Sequence, residues 1–203
     1  MKVKQRDLTR EKLLQSAFCE IHRQGYQAAS VANILEDTEL TKGAFYHHFP
    51  TKQALGLAVV DEVIMPRLDS MIFTPLRESK HPVETLLDII SGIGKKIPPD
   101  FIMLGCPLNN LMQEMSPLDP AFKEKLNSAI NLWRHTVTEA LEIGQKHGVI
   151  KKDVDCKAAA LFIVSAWEGC IGIAKSLQSI ETFQLCMNQL HGYVQGLTVV
   201  RKL

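Results

Sequence analysis

At 203 residues, 46% hydrophobic and 22% charged, the chain has length for one or two cored domains and is not a disordered polymer. Its net charge is +1, and residues 1 to 56 hold eight Lys/Arg against six Asp/Glu, so no broad positive field is on offer. Any nucleic-acid contact has to come from a few placed cations.

The residues Leu14, Ala17, Phe18 and Ile21 recur at the spacing of an amphipathic helix, which predicts one over Leu8 to Gln24 with Gly25 as its C-terminal cap. Ser30 offers an N-cap to a second, short helix carrying Val31, Ile34 and Leu35, ended by the polar Asp37-Thr38-Glu39 turn. Thr41 caps a third, which Pro50 stops. At about 100° per residue, Lys42, Gly43, Tyr46 and His47 share an arc opposite Phe45. A cation, two hydrogen-bonding rings and bare backbone then face one way and an apolar anchor the other. Three helices with a tight turn before the last follow the helix-turn-helix plan.

From Thr51 a further helix carries Leu55, Ala58, Val59 and Val63 and is interrupted near Pro66; Pro75 to Pro82 reads as a loop. Val83 to Lys96 is helical and Ile97-Pro98-Pro99-Asp100 breaks it. A Met- and Leu-rich stretch follows, Phe101 to Met115, then a long helix from Asp119-Pro120 to about His147, ended by Gly148. Asp155 to Lys175 and Ile180 to Val200 form two helices around a Gln178-Ser179 joint. The first is apolar nearly all round, so it must be covered on several sides. Its run from Ala158 to Ala174 contains Glu168 and is shorter than the roughly 20 residues of a membrane span, which predicts a buried helix and no membrane association. Lys2 and Lys4 lead into polar residues, not the apolar core of an export signal.

Gly25-Tyr26, Ser30-Val31-Ala32-Asn33-Ile34, Leu40 to Phe49 and Lys52-Gln53-Ala54-Leu55 together resemble the DNA-binding signature of the tetracycline-repressor (TetR) family, over residues 8 to 57. The resemblance implies an all-α fold: a three-helix DNA-binding domain at residues 1–52, and a helical ligand-binding and dimerisation domain at 53–203. It places Thr41, Lys42, Gly43, Ala44, Tyr46, His47, His48 and Lys52 against the duplex, with Ser30 and Val31 at the start of the second helix and Lys2, Lys4 and Arg6 trailing along it. The implied partners are a double-stranded, pseudo-palindromic operator, a small-molecule effector, and a second copy joined through the two C-terminal helices. Three positions depart from the family pattern. Glu39 stands where a turn glycine is usual, at a cost of about 1 kcal/mol if φ is positive there. Leu35 replaces a small Ala, and Ala44 replaces a Thr or Ser, removing a hydroxyl but leaving a methyl that suits thymine.

Phe101, Met103, Leu104, Met112, Met115, Trp133, Val137, Leu141, Trp167 and Ile171 supply apolar surface from several helices. They line an effector pocket or simply fill the core; Asn110, Gln113, His135 and Glu168 either orient a ligand or are satisfied by neighbours. The candidate effector contacts are Met103, Cys106, Asn110, Trp133, Val137, Trp167 and Ile171. Gly105-Cys106-Pro107-Leu108-Asn109-Asn110-Leu111 resembles the Gly-Cys-x-x-x-Asn-Leu stretch of a subgroup of these repressors, some of which sense electrophiles or oxidants through that cysteine. That likeness makes Cys106 a candidate sensor, with Lys175 as a cation to depress its pKa; the other reading is a small buried hydrophobe.

Cys19, Cys106, Cys156, Cys170 and Cys186 are odd in number and lack a Cys-x-x-Cys pair, which predicts a reduced cytoplasmic protein without a disulfide framework or structural zinc. His22, His81, His135, His147 and His191 make no helical metal pair, and no phosphate loop, nucleophile elbow or carboxylate pair beside a histidine is present, so neither metal, cofactor nor catalysis is expected. The expected function is a ligand-responsive, homodimeric repressor. The alternative is a helical small-molecule-binding or redox-sensing protein with weak or lost operator binding.

Overall fold

The computed structural model describes residues 2–36 and 38–199, with side chains from Leu8 onward. Asp37, Val200 and the side chains of Lys2, Lys4 and Arg6 therefore lie outside the described residues. The order is α1 (Lys2–Gln24), α2 (Val31–Glu36), α3 (Lys42–His48), α4 (Lys52–Val59), α5 (Met65–Leu68), α6 (Thr74–Glu78), α7 (Pro82–Lys96), α8 (Pro99–Met103), α9 (Pro107–Met115), α10 (Pro120–Lys146), α11 (Cys156–Leu177) and α12 (Ile180–Gly196). Among the described residues the only extended pairing is an antiparallel bridge between Ile150 and Thr198.

Helix ends fall where their caps are written. Gly25 has φ 89° and its N–H closes on Ile21 O, ending α1. Asp119 accepts from the Ala121 and Phe122 N–H groups to start α10, and Asp155 from those of Lys157 and Ala158 to start α11. α11 ends on Gln178 in the left-handed region, φ 48°.

The expected break at Pro66 does not occur, and of the loop expected from Pro75 to Pro82 only residues 79–81 are irregular. The chain stays helical from Lys52 to Glu78, through two π turns at Val60–Ile64 and Asp69–Phe73. Each π turn closes on the residue just before a proline: Met65 N–H on Val60 O, and Thr74 N–H on Asp69 O. A proline ring collides with the carbonyl four residues back in a regular helix, and widening the preceding turn carries that carbonyl aside.

The chain forms two compact units, Met1–Arg67 with Pro107–Ser128, and Leu68–Cys106 with Ala129–Leu203. The first unit thus takes in α9 and the start of α10 in addition to the three-helix head. Its core is the apolar face of α1 (Leu13, Leu14, Ala17, Phe18, Ile21) closed by Ile34, Phe45, Phe49, Leu55, Val59, Leu111 and Phe122. Tyr26 lies 4.7 Å from the Phe122 ring, and both pass so near Gly56 that a Cβ there would sit 2.6 Å from one and 2.7 Å from the other.

In the second unit α7 lays Val83, Leu86, Ile90 and Ile93 into the core, and α11 and α12 form an antiparallel hairpin. α11 is, among the described residues, the one helix long and apolar enough to cross a membrane, yet half of it is buried in the protein. The expectation of no disulfide is overturned here: Cys170 on α11 is joined to Cys186 on α12, with Cα atoms 5.4 Å apart. The two cysteines are equally far in sequence from Gln178 at the joint, so an antiparallel hairpin sets them opposite one another.

Candidate nucleic-acid interface and effector site

α3 is anchored from beneath. Thr41 Oγ1 accepts the Ala44 N–H at 3.2 Å, Phe45 and Phe49 are buried, and the Arg10 guanidinium lies 4.7 Å from the Phe49 ring centroid. What remains outside is the arc read from the sequence. Lys42, Gly43 and His47 are exposed, Tyr46 is 53% exposed with its ring edge-on to Phe45 at 5.0 Å, and Ala44 and His48 are half-buried. A Cβ built on Gly43 meets nothing closer than Thr41 Oγ1 at 3.6 Å, so the bare backbone there reflects the residue chosen and not a lack of room.

The turn into α3 is braced by Thr38, whose hydroxyl donates to Leu35 O at 2.8 Å and accepts from Leu40 N–H at 3.2 Å. Glu39 sits at φ 57°, in the left-handed region, so the cost that a side chain pays there applies. At the other turn, Ser30 Oγ accepts the Asn33 N–H at 3.1 Å, with Ser30 exposed and Val31 half-buried at the start of α2.

Lys52 is half-buried and bonded within the first unit. Its Nζ donates to Gln27 O at 3.2 Å and Ala29 O at 2.7 Å and lies 4.6 Å from the Tyr26 ring centroid. Burial lowers its pKa, and the nearby Glu114 carboxylate opposes the shift. Glu114 in turn accepts the Tyr26 and Gln27 N–H groups, each at 2.8 Å. The loop between α1 and α2 is therefore clamped, its carbonyls by a cation from α4 and its N–H groups by a carboxylate from α9. Burial, then Asp119 and Glu114, push the Tyr26 hydroxyl up to about 12. Neither Glu114 nor Gly56 stands out in the sequence, since their partners come from distant segments.

Of the candidate effector contacts, the second unit holds Met103, Cys106, Trp133, Val137, Trp167 and Ile171, whereas Asn110 lies on α9 in the first. Trp133 and Trp167 meet edge-on at 5.6 Å, with Phe73 6.4 Å from Trp133, and these rings, Val137 and Ile171 are buried. His135 is turned outward onto Glu139 at 3.4 Å, and Gln113 is exposed. Gln178 Nε2 donates to Met103 O at 3.0 Å, tying the end of α8 to the end of α11. Gly105, φ 87°, then turns the chain so that Cys106, 8% exposed, enters the core.

There Cys106 meets Glu168, which is only 6% exposed. Neither carboxylate oxygen has a conventional N–H or O–H partner. Burial pushes its pKa up to about 7, against a smaller opposing effect of the Cys106 thiol, which donates to it. Lys175 is exposed, about two turns beyond Glu168 along the same side of α11. Among the described residues no three His, Cys, Asp or Glu side chains gather where a metal would sit.

A helix-turn-helix head with an exposed polar arc on α3, together with a second helical unit, points to the class of helical DNA-binding regulators. Residues 13–59 match the signature of bacterial regulatory proteins of the tetR family, and residues 83–190 match the tetracyclin repressor-like C-terminal domain. The chain belongs to the TetR family of transcriptional regulators, DNA-binding proteins and not enzymes. It is 29% identical to an uncharacterised HTH-type transcriptional regulator of Lactococcus lactis subsp. lactis, over 87% of this chain and 88% of that one. It is 28% identical to the HTH-type transcriptional repressor DhaR of Mycobacterium sp. (strain GP1), over 72% of each. A TetR transcriptional regulator from Chloroflexus aurantiacus J-10-FL superimposes with a TM-score of 0.84 at 26% identity, over 96% of this chain and 98% of that one.

Proposed function

We propose that this regulator is a homodimeric repressor that reads a pseudo-palindromic operator through α3 and releases it when the second unit takes up a small molecule or electrophile. The observation that carries the reading is the division of α3: Phe45 buried beneath, Lys42, Gly43, Tyr46 and His47 outward, with Ala44 and His48 at the edge. Lys42, Tyr46 and His47 supply phosphate and base-edge contacts and Ala44 an apolar one, while Ser30 and Val31 bring the start of α2 to the backbone. Lys52 serves indirectly, holding the α1–α2 loop. A mobility-shift assay on the DNA flanking the protein's own gene tests this. Lys42→Ala and Tyr46→Ala should each weaken binding by about 1 to 3 kcal/mol, and Lys42→Ala should reduce the salt slope by about one. Operator binding left intact by both changes overturns the reading.

The second copy docks on the α11–α12 hairpin. Leu161, Phe162, Ile173 and Leu177 on α11 and Leu185 on α12 are exposed, and Gly169, Gly172 and Gly192 have open space where a Cβ would be, which lets another helix approach closely. Effector release is assigned to Cys106, with Lys175 as the cation that favours its thiolate. Operator affinity unchanged after a thiol reagent has modified Cys106 removes the sensor role and leaves the DNA reading standing.

A further inference from the structure

We propose that Glu168 is the proton acceptor and donor of a covalent site at Cys106 for small, uncharged α,β-unsaturated carbonyl compounds. The inference rests on Cys106 being the sensor and adds to it the group that moves the proton. A buried carboxyl is ordinarily met by several donors, because an unpaired one costs several kcal/mol. Glu168 has neither an N–H nor an O–H on its oxygens; the thiol of Cys106 is what it has. The elements against α11 carry other ionisable groups: Asp100 on α8, Arg134, His135, Glu139, Glu142 and Lys146 on α10, and Glu181, His191 and Tyr193 on α12. α11 itself adds Lys157 and Lys175. What governs Glu168, however, is its burial and the thiol. A base of that strength beside a thiol is matched to the proton it has to take near neutral pH.

In the addition, the carboxylate takes the thiol proton as sulfur attacks the β-carbon. An S–C bond forms, the C=C π bond breaks, and the proton held on Glu168 passes to the α-carbon, so no oxidant or other reactant is needed. A carboxyl that both accepts and returns a proton suits conjugate addition better than displacement, which gives the carbon no proton back. The burial of both groups selects small, uncharged compounds, since a charged one would be stripped of its water. Adduct formation removes the thiol's hydrogen bond to Glu168 and places new bulk next to the α8–α11 tie made by Gln178 and Met103.

The test uses the full-length protein with acrylamide as probe. Labelling rates are followed at Cys106 by peptide mass spectrometry across neutral pH, with the exposed Cys19 as an internal reference. In the unaltered protein the Cys106 rate should inflect near pH 7. Glu168→Gln should slow it at least about tenfold at that pH and remove the inflection, leaving the rise of an ordinary thiol near pH 8.5, while Cys19 is unaffected. If Glu168→Gln does not fold, as judged by its circular dichroism, Lys175→Met at the exposed cation decides, an inflection that stays near pH 7 supporting the shuttle and one that moves up to the range of an ordinary thiol removing it. The same Cys106 profile in both proteins overturns the role of Glu168 and leaves the sensor standing. No labelling of Cys106 in the folded protein while Cys19 reacts overturns both.

Discussion

In the first unit the buried and half-buried charges meet conventional partners: Glu114 takes two backbone N–H groups and Lys52 gives to two carbonyls, all from distant segments, while Glu20 accepts from Arg23 and Gln24 on its own helix. The second unit buries a carboxylate, Glu168, against a thiol and leaves its oxygens without a conventional donor. The two arrangements suit different work. Satisfied polar groups fix one backbone geometry, here the loop that positions α2 and α3. An unsatisfied one holds back interaction energy that a ligand or a covalent change can release.

The contrast is broken or sharpened most strongly through Glu168. Its pKa stands at about 7 against an ordinary 4.5, so the folded protein holds a proton that the unfolded chain has lost between those values. Its contribution to stability is therefore fully present below about pH 4.5, falls as pH rises to about 7, and is constant above, a change of roughly 3 kcal/mol. Denaturant unfolding of the protein and of Glu168→Gln, compared at acid and alkaline ends of this window, should give curves that diverge by about that amount, the variant being the more stable at high pH. Both tryptophans, Trp133 and Trp167, lie in the second unit, so intrinsic fluorescence reports on it directly. Parallel pH dependences would mean that Glu168 finds a partner and that the two units do not differ in this respect.

Gly56 offers the next largest effect, on the opposite side of the comparison. In a unit fixed by close packing, a methyl placed 2.6 Å from the Tyr26 ring and 2.7 Å from that of Phe122 has nowhere to go. Gly56→Ala should cost about 2 kcal/mol, read as a drop in melting temperature. Gly43→Ala in the same unit adds a methyl to open space and should not destabilise α3, since Ala is the better helix former. Equal melting temperatures for the two variants would show that the Tyr26–Phe122 contact is loose.

Much of this was legible in the chain because it is local. Caps such as Gly25, Thr41 and Asp119, and the outward arc of α3, depend on residues within one helical turn of each other. What escaped was set across distance or by compensation. Pro66 and Pro75 read as breaks because the π turns that accommodate them leave no mark in a hydrophobic pattern. The Lys52 ammonium meets carbonyls some 25 residues earlier, a contact that no local pattern announces. The Cys170–Cys186 bridge had a signal, the equal spacing about Gln178, but cysteine count alone pointed the other way.

The smallest effect bears on how far the first unit is optimised. Glu39 holds φ 57° with a side chain 94% exposed, and its ion pair to Lys12 spans 4.0 Å. Such an exposed pair contributes little, whereas the left-handed backbone costs a non-glycine residue about 1 kcal/mol. Glu39→Gly should thus raise stability by up to about 1 kcal/mol, less what the more flexible unfolded chain takes back. A rise in melting temperature with the helical circular dichroism unchanged would show that the head, for all its satisfied polar groups, carries strain in the turn that leads into α3. No rise would place the cost elsewhere: the Thr38 hydroxyl, bonded to Leu35 O and Leu40 N–H on either side of Glu39, would then be what fixes the turn whatever residue occupies its corner.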